Sequence, residues 1–283
     1  MSDLTTLVDG LAFAEGPRWH EGSLWFSDMH AGVVLRCDVT SGAIEEVARV
    51  EKQPSGLGWD AEGRLLVVSM VDRRLLRVGA AGRLEEVADL SGLAAFHCND
   101  MVVDAAGRAY IGNFGFDFRA GAAPVGAVLA RVDPDGSVSV AAEGLMFPNG
   151  TVISPDGRTL IIGETFAARL TAFDIAPDGS LSGRRLWAQM PPGAVPDGIC
   201  LDAEGAVWVA SPTSKDVIRV AEGGEVLARI DTGRDAYACM LGGAEDRTLF
   251  ICTAVSSDPA VVTAERSGRI EVIDVEVGRA GRP

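Results

Sequence analysis

The sequence predicts an all-β protein, a six-bladed β-propeller formed by residues 1–283 as one domain. Three observations carry this prediction. One unit recurs six times, with turn positions Gly22, Gly63, Gly107, Gly157, Gly205 and Arg247 separated by 41, 44, 50, 48 and 42 residues. A mean period of 45 suits four short strands with their turns, the length of one propeller blade. Glycine makes up 34 of 283 residues and is spread along the whole chain, as many tight turns require. Finally, no stretch sustains a 3.6-residue apolar period between helix caps, so helix should be scarce.

Each unit pairs a polar-Gly segment with a strongly apolar run across a turn. Taken in order, these are Glu15–Trp19 with Ser23–Ser27, Ser55–Trp59 with Leu65–Ser69, Asn99–Val103 with Ala109–Asn113, Asn149–Ile153 with Thr159–Gly163, Asp197–Leu201 with Ala206–Ala210, and Cys239–Gly243 with Thr248–Cys252. Further strand-like runs follow at Val33–Cys37, Leu75–Val78, Val128–Val132, Leu170–Phe173, Val217–Val220 and Ile270–Ile273. The sixth unit ends after about three strands, at Val277, while the run Leu4–Val8 precedes the first unit. Pairing that N-terminal run with the last blade would close the ring and hide an exposed sheet edge.

Composition excludes several classes of function. With 25 basic and 40 acidic residues the formal net charge is −15, which repels phosphate backbones and anionic lipid, so neither nucleic acid nor membrane is expected as a partner. No apolar run approaches the ~20 residues that span a bilayer. Met1–Thr5 has no basic segment followed by an apolar core, and the five cysteines are odd in number with no C-x-x-C spacing. A disulfide framework is therefore not expected, and the sequence reads as a protein of a reducing compartment, the cytoplasm.

The most informative feature is what the repeats place on the axis. The innermost strand of a propeller blade lines the central channel. Counting back four positions from Trp19, Trp59, Val103, Ile153, Leu201 and Gly243 gives Glu15, Ser55, Asn99, Asn149, Asp197 and Cys239. Two residues deeper lie Pro17, Leu57, Met101, Thr151, Ile199 and Leu241, a mostly apolar layer. Glu15, Asn99, Asn149 and Asp197 would thus converge, two of them as carboxylates, which is costly without a compensating proton or cation. Carboxylate and amide oxygens suit Ca²⁺, Mg²⁺ or Mn²⁺, and four protein donors leave positions open for water or substrate. The alternative is that each is a strand-start residue satisfying nearby backbone groups. Asp100 stands where four of the other units carry Gly, and is either an orienting acid or a turn acid.

Other chemistries find less support. There is no G-x-S-x-G elbow, H-E-x-x-H, phosphate-binding loop or helix-opening G-x-G-x-x-G. The three histidines, His20, His30 and His97, are too few for a His-rich zinc site, but His97 lies two residues before Asn99 and is a candidate for the channel mouth. Cys239 reads as a small buried cysteine in preference to a nucleophile. The Phe114–Gly121 segment puts Phe114, Phe116 and Phe118 among glycines, as a flap over the mouth or as packing between blades.

Glu15-Gly16-Pro17, Asn99-Asp100, Pro148-Asn149-Gly150 and Pro196-Asp197-Gly198, with the turns between them, resemble the SMP-30/gluconolactonase/LRE (regucalcin-like) family. The resemblance covers nearly the whole chain in order and spacing. It implies a six-bladed propeller with one divalent ion (Ca²⁺, Mn²⁺, Mg²⁺, Zn²⁺ or Fe²⁺) in the channel. Glu15, Asn149 and Asp197 would be its ligands, and Asn99 would bind substrate or complete the coordination. Many members hydrolyse sugar lactones, and some relatives hydrolyse organophosphates. One departure stands out: sugar-lactonase members often carry Arg two residues before the Asn of the N-D motif, where this chain has His97, so a forked donor is replaced by an imidazole. The expected activity is metal-dependent opening of a lactone, a small molecule, to its hydroxy acid. Asp197 is the candidate base, and Asn99, His97, Phe116 and Tyr237 are candidates for substrate contact. The alternatives are hydrolysis of another ester or an organophosphate in the same site, or a cation-binding propeller without catalysis.

Overall fold

The alternation of apolar and small residues in each repeat produces a four-stranded antiparallel sheet, and six such sheets form a closed ring. The computed structural model describes residues 3–283. The inner strands are Ala14–His20, Pro54–Trp59, Cys98–Val103, Pro148–Ile153, Ile199–Leu201 and Asp235–Gly242, in blades one to six. The second strands are Ser23–Asp28, Leu65–Ser69, Ala109–Asn113, Thr159–Glu164, Val207–Ser211 and Thr248–Ala254. They are almost wholly buried because both faces lie against neighbouring blades, which is why they read as continuous apolar runs.

The ring closes as the sequence predicts. Thr5–Leu11 pairs antiparallel with Gly268–Asp274, matching Thr5 to Val272 and Leu11 to Gly268. The sixth blade therefore joins the two ends of the chain. Its seam with blade one is filled by Trp19, which stacks on Phe250 at a centroid distance of 5.7 Å. Gly242 faces that indole so closely that a Cβ there would lie 2.5 Å from it. Between the other blades the core consists of layers such as Leu66, Val68 and Leu75 against Met101, Val103 and Ile111. Each side chain so buried stabilises the fold by roughly 1.5–3 kcal/mol.

The glycine of the repeat has a physical reason. Inner strands crowd the axis, and a Cβ on Gly56 would lie 2.5 Å from the Met101 nitrogen and 2.9 Å from the Asp100 Cα. Gly150 meets the Ile199 nitrogen and Gly198 meets Ala238 equally closely, each at 2.5 Å. The turns behave likewise, with Gly22, Gly63, Gly107, Gly157 and Gly205 all in the left-handed region. In blade six that role falls to Asp246, with φ 54°, and not to Arg247. The hairpin of blade six is one pair longer than that of blade two: Leu241 with Leu249 matches Trp59 with Leu65, and Gly242 with Thr248 adds a further pair. The inner-strand bulge, where Ala236 pairs with Thr253 and Cys239 with Ile251 as Pro54 pairs with Ser69 and Leu57 with Val67, makes Tyr237 and Cys239 the axial positions of blade six, two residues earlier than the pattern of Cys239 and Leu241 suggests. The Gly198 N–H accordingly binds the Tyr237 carbonyl as the Gly150 N–H binds that of Asp197. Cys239 thus belongs to the deeper layer, where it packs between blades with its Sγ 3.9 Å from Cys200 Sγ.

Helix is scarce, as expected: the one α-helix among the described residues is Pro259–Glu265, capped by Asp258, whose carboxylate accepts the Ala260 N–H at 2.9 Å. No helix among them is long and apolar enough to cross a membrane. At the lower mouth the C-terminal segment runs across the axis, with Ile153 and Arg282 exchanging backbone hydrogen bonds at 2.8 Å and Ala280 donating to Leu201 at 3.0 Å. If axial crowding sets the glycine requirement, Gly56→Ala should cost about 2 kcal/mol, in the range of core overpacking. Urea unfolding checks this, and a cost below ~0.5 kcal/mol would refute it.

Candidate functional site

The upper end of the channel widens into a cavity of about 660 Å³, whose lining includes Glu15, Asn99, Asn149, Asp197, His97 and Tyr237. All six blades are represented in its wall by residues in two repeating places. One is the residue two positions before the axial one, giving Phe13, Gln53, His97, Phe147 and Asp235. The other is the loop after the second strand, giving Met29 and His30, Met70 and Val71, Phe114, Thr165 and Phe166, and Pro212 and Thr213. The last residue of the second strand fixes the first place by binding its backbone. Asp28 accepts the Phe13 N–H at 2.7 Å, Glu164 accepts that of Met146 at 2.8 Å, and Ser211 accepts that of Val195 at 3.1 Å.

At the floor, Glu15 and Asp197 share one electrostatic environment. Burial pushes Glu15 well above the usual carboxylate range, and the charges of Asp197 and Asp100 push it the same way. The Gly16 N–H at 3.0 Å and the Arg18 guanidinium oppose them. Burial likewise pushes Asp197 up to about 8, against a hydrogen bond from the Asn149 side chain. Two carboxyls that each resist ionisation form a site that wants a positive charge. Among the described residues no three His, Cys, Asp or Glu side chains gather as an ion cage. An ion here therefore depends on amide oxygens as well as the two carboxylates. The asparagines are oriented for that: Asn149 Nδ2 donates to Thr165 Oγ1 at 3.2 Å, and Asn99 Nδ2 points to the Pro148 carbonyl at 3.5 Å. Thr165 Oγ1 in turn donates to the Pro196 carbonyl at 2.8 Å, tying Asn149 to the strand that carries Asp197. A hard divalent cation with oxygen ligands fits this donor set.

Asp100 is resolved by its partner. Arg18 reaches across the axis to it at 2.5 Å while also donating to the carbonyls of Leu57, Met101 and Pro17. Both residues are buried. Below the site they are packed with Leu57 and Met101, both fully inaccessible, and Ile199, which is nearly so. This layer separates the upper cavity from the lower mouth.

The remaining candidates divide. His97 lies at the cavity wall with its ring stacked on Phe96 at 4.1 Å, and burial holds its pKa below the ordinary value. His30, which pattern reading left unassigned, also lines the cavity and is lowered by the same cause. Tyr237 packs on Phe13 at 4.6 Å and donates to Asp235 at 3.2 Å, and burial drives its phenol strongly upward. Phe116 is not in the lining: it is buried behind it, edge-on to Phe147 and Phe166 at 6.3 and 5.1 Å. Its neighbours Phe114 and Phe118 line the cavity instead. Their segment is a fixed rim, anchored by Arg119 donating to the Ser257 carbonyl at 2.5 Å.

The fold and floor thus define a six-bladed propeller with an acidic, oxygen-rich pocket on its axis. The chain belongs to the SMP-30/gluconolactonase/LRE-like family, whose model matches residues 13–255. It is 30% identical over 262 residues to pentonolactonase XacC of Haloferax volcanii, covering 89% of this chain and 85% of that protein. It is 29% identical to regucalcin of Danio rerio, covering 85% and 82%. Among solved structures, a gluconolactonase of Xanthomonas campestris superposes with a TM-score of 0.77 at 27% identity, covering 96% of this chain and 89% of that one.

The raised carboxyls predict a pH dependence of stability in chelator. Asp197 goes from an ordinary value of 3.8 to about 8 on folding, so between these pH values the folded state holds more protons than the unfolded one. Stability must then fall as pH rises through that window. The melting temperature of metal-free protein should decline from pH 5 to 8, and Asp197→Asn should flatten the decline. A melting temperature that rises over this range in chelator would contradict the assignment.

Proposed function

We propose that this protein opens lactones by hydrolysis with the help of one divalent cation held by Glu15, Asn149 and Asp197. The observation that carries the reading is the pair of buried, mutually destabilising carboxyls at the floor of a cavity whose other floor groups are amides. A bound cation would neutralise the pair and supply a Lewis acid for the ester carbonyl.

The chain's own groups perform the rest. Asp197, its carboxylate at the cavity surface, takes the proton from the attacking water. As the new C–O bond forms, the ring C–O bond breaks, and the same proton is delivered to the departing alkoxide, giving the hydroxy acid. Asn99, from the neighbouring blade, offers its amide to the ring. His97, kept neutral by burial, presents one donor and one acceptor at the wall. The Tyr237 hydroxyl, already donating to Asp235, is an acceptor towards a substrate donor. Phe116 contributes by backing the aromatic wall. That relatives in this family are named lactonases supports the reading.

Chelation should reduce turnover of δ-lactones to background in a pH-stat assay, and a divalent ion should restore it. Asp197→Asn should lower kcat by on the order of 10²–10⁴-fold, the range of a positioned acid–base group. Asn149→Ala should reduce bound metal and activity together, as measured by elemental analysis. Undiminished turnover after rigorous metal removal would end this mechanism.

A further inference from the structure

The cavity has two chemistries, and the mechanism above uses only the floor. Over Asn99 and Asn149, at the junction of blades three and four, stands a wall of phenylalanine rings. Phe147 is its centre: Phe114 stacks on it at 4.3 Å, and Phe118 and Phe166 lie 5.6 and 5.2 Å away. Phe114, Phe118, Phe147 and Phe166 all line the cavity. Phe166 is 48% exposed.

The wall is built, not incidental. Phe147 has φ 61°, a left-handed conformation that a bulky residue rarely adopts. It also directly precedes Pro148, which restricts it further. That backbone is held by Glu164, which is fully buried and accepts from Met146, Arg169 and Thr171. The Phe147 carbonyl also accepts the Thr165 N–H at 3.2 Å. Gln53, at the same place in blade two, has φ 67° and its carbonyl accepts the Met70 N–H in the same way, so the left-handed backbone belongs to the repeat and what is particular to blade four is the bulky ring set on it. Here it aims an aromatic face into the space next to Asn149.

We infer that the natural substrate is a lactone whose ring carries an apolar substituent, lying against Phe114, Phe118, Phe147 and Phe166 while the ester sits on the floor. This rests on the hydrolase reading and deepens it. Phenyl rings give a substrate hydroxyl no hydrogen-bond partner, so a polyol packed there would lose its water without replacement. An alkyl or aryl group gains from the same contact. The occupant must be amphiphilic because its site is polar at one end and aromatic at the other.

The test is a matched series of δ-lactones bearing hydrogen, methyl, propyl or pentyl on the carbon beside the ring oxygen, compared with glucono-1,5-lactone, using protein supplied with divalent ion. Each added methylene should raise kcat/KM about three- to fourfold, and the longer members should exceed the polyol. Phe118→Ala and the exposed Phe166→Ala should each flatten this slope, with Phe118→Leu restoring part of it. A flat or falling slope alongside turnover of the polyol would overturn the inference and leave the hydrolase reading standing. If no lactone is opened by the metal-loaded protein, both fall.

Discussion

Glu15 and Asp197 come from distant parts of the chain, and the close approach of the inner strands brings their carboxyls to one cavity floor. Everything characteristic of the upper mouth follows from the cost of keeping two acids there. The protein offsets that cost only partly. The Gly16 N–H and the Arg18 guanidinium favour the ionised Glu15, and Asn149 favours the ionised Asp197, yet both groups remain well above ordinary carboxylate behaviour. Arg18 does not neutralise the pair, because its charge is committed to Asp100 and three backbone carbonyls. A guanidinium placed directly between the two acids would have made a more stable floor with no remaining affinity for a cation. The arrangement present keeps the deficit of positive charge where a ligand can meet it.

Such a deficit is tolerable only in a rigid frame. Carboxyls on flexible loops would separate and reach water. Here each inner strand is wedged against the next through a glycine that admits no Cβ, as Gly56 against Met101 and Gly198 against Ala238 show. The N-terminal strand, hydrogen-bonded to Gly268–Asp274, prevents the ring from relaxing by opening at a seam. Stability lost at the floor is thus carried by the layers between the blades, which is the usual relation between a strained site and its scaffold.

The blade count, the closing strand and four polar axial residues were legible because they are properties of a period, and a period survives changes in individual side chains. Blade six was misregistered by two for the same reason. Its turn exchanges the customary residues: Gly243 stands where Asp60 stands in blade two, and Asp246 takes the left-handed position held elsewhere by glycine. Together with the extra pair Gly242–Thr248 in its hairpin, this displaced the axial residue from Tyr237 to Cys239. Arg18 was not legible at all, since its partners Leu57, Asp100 and Met101 belong to blades two and three, and nothing in local pattern reports a contact across the axis. The cavity wall lay between these cases. His97 was found by its offset of two residues from Asn99. The same offset applied to the other repeats gives Phe13, Gln53 and Phe147, so the signal was present and needed only to be carried around the ring.

That common offset also explains how one scaffold holds both chemistries of the cavity. The axial position and the position two before it are close in the chain, one deep in the cavity and one near the mouth, the latter on the segment that enters the inner strand. A substitution at the first alters the floor and at the second alters the wall, and neither needs a change in backbone. Blades three and four use the first position for Asn99 and Asn149 and the second for His97 and Phe147. Polar groups and aromatic surface therefore follow one another along the same two chain segments, at the entry to and the start of each inner strand. The vertical order places oxygen-bearing side chains below and rings above, so a lactone of the kind proposed would enter with its reacting end first and leave its apolar end at the rim.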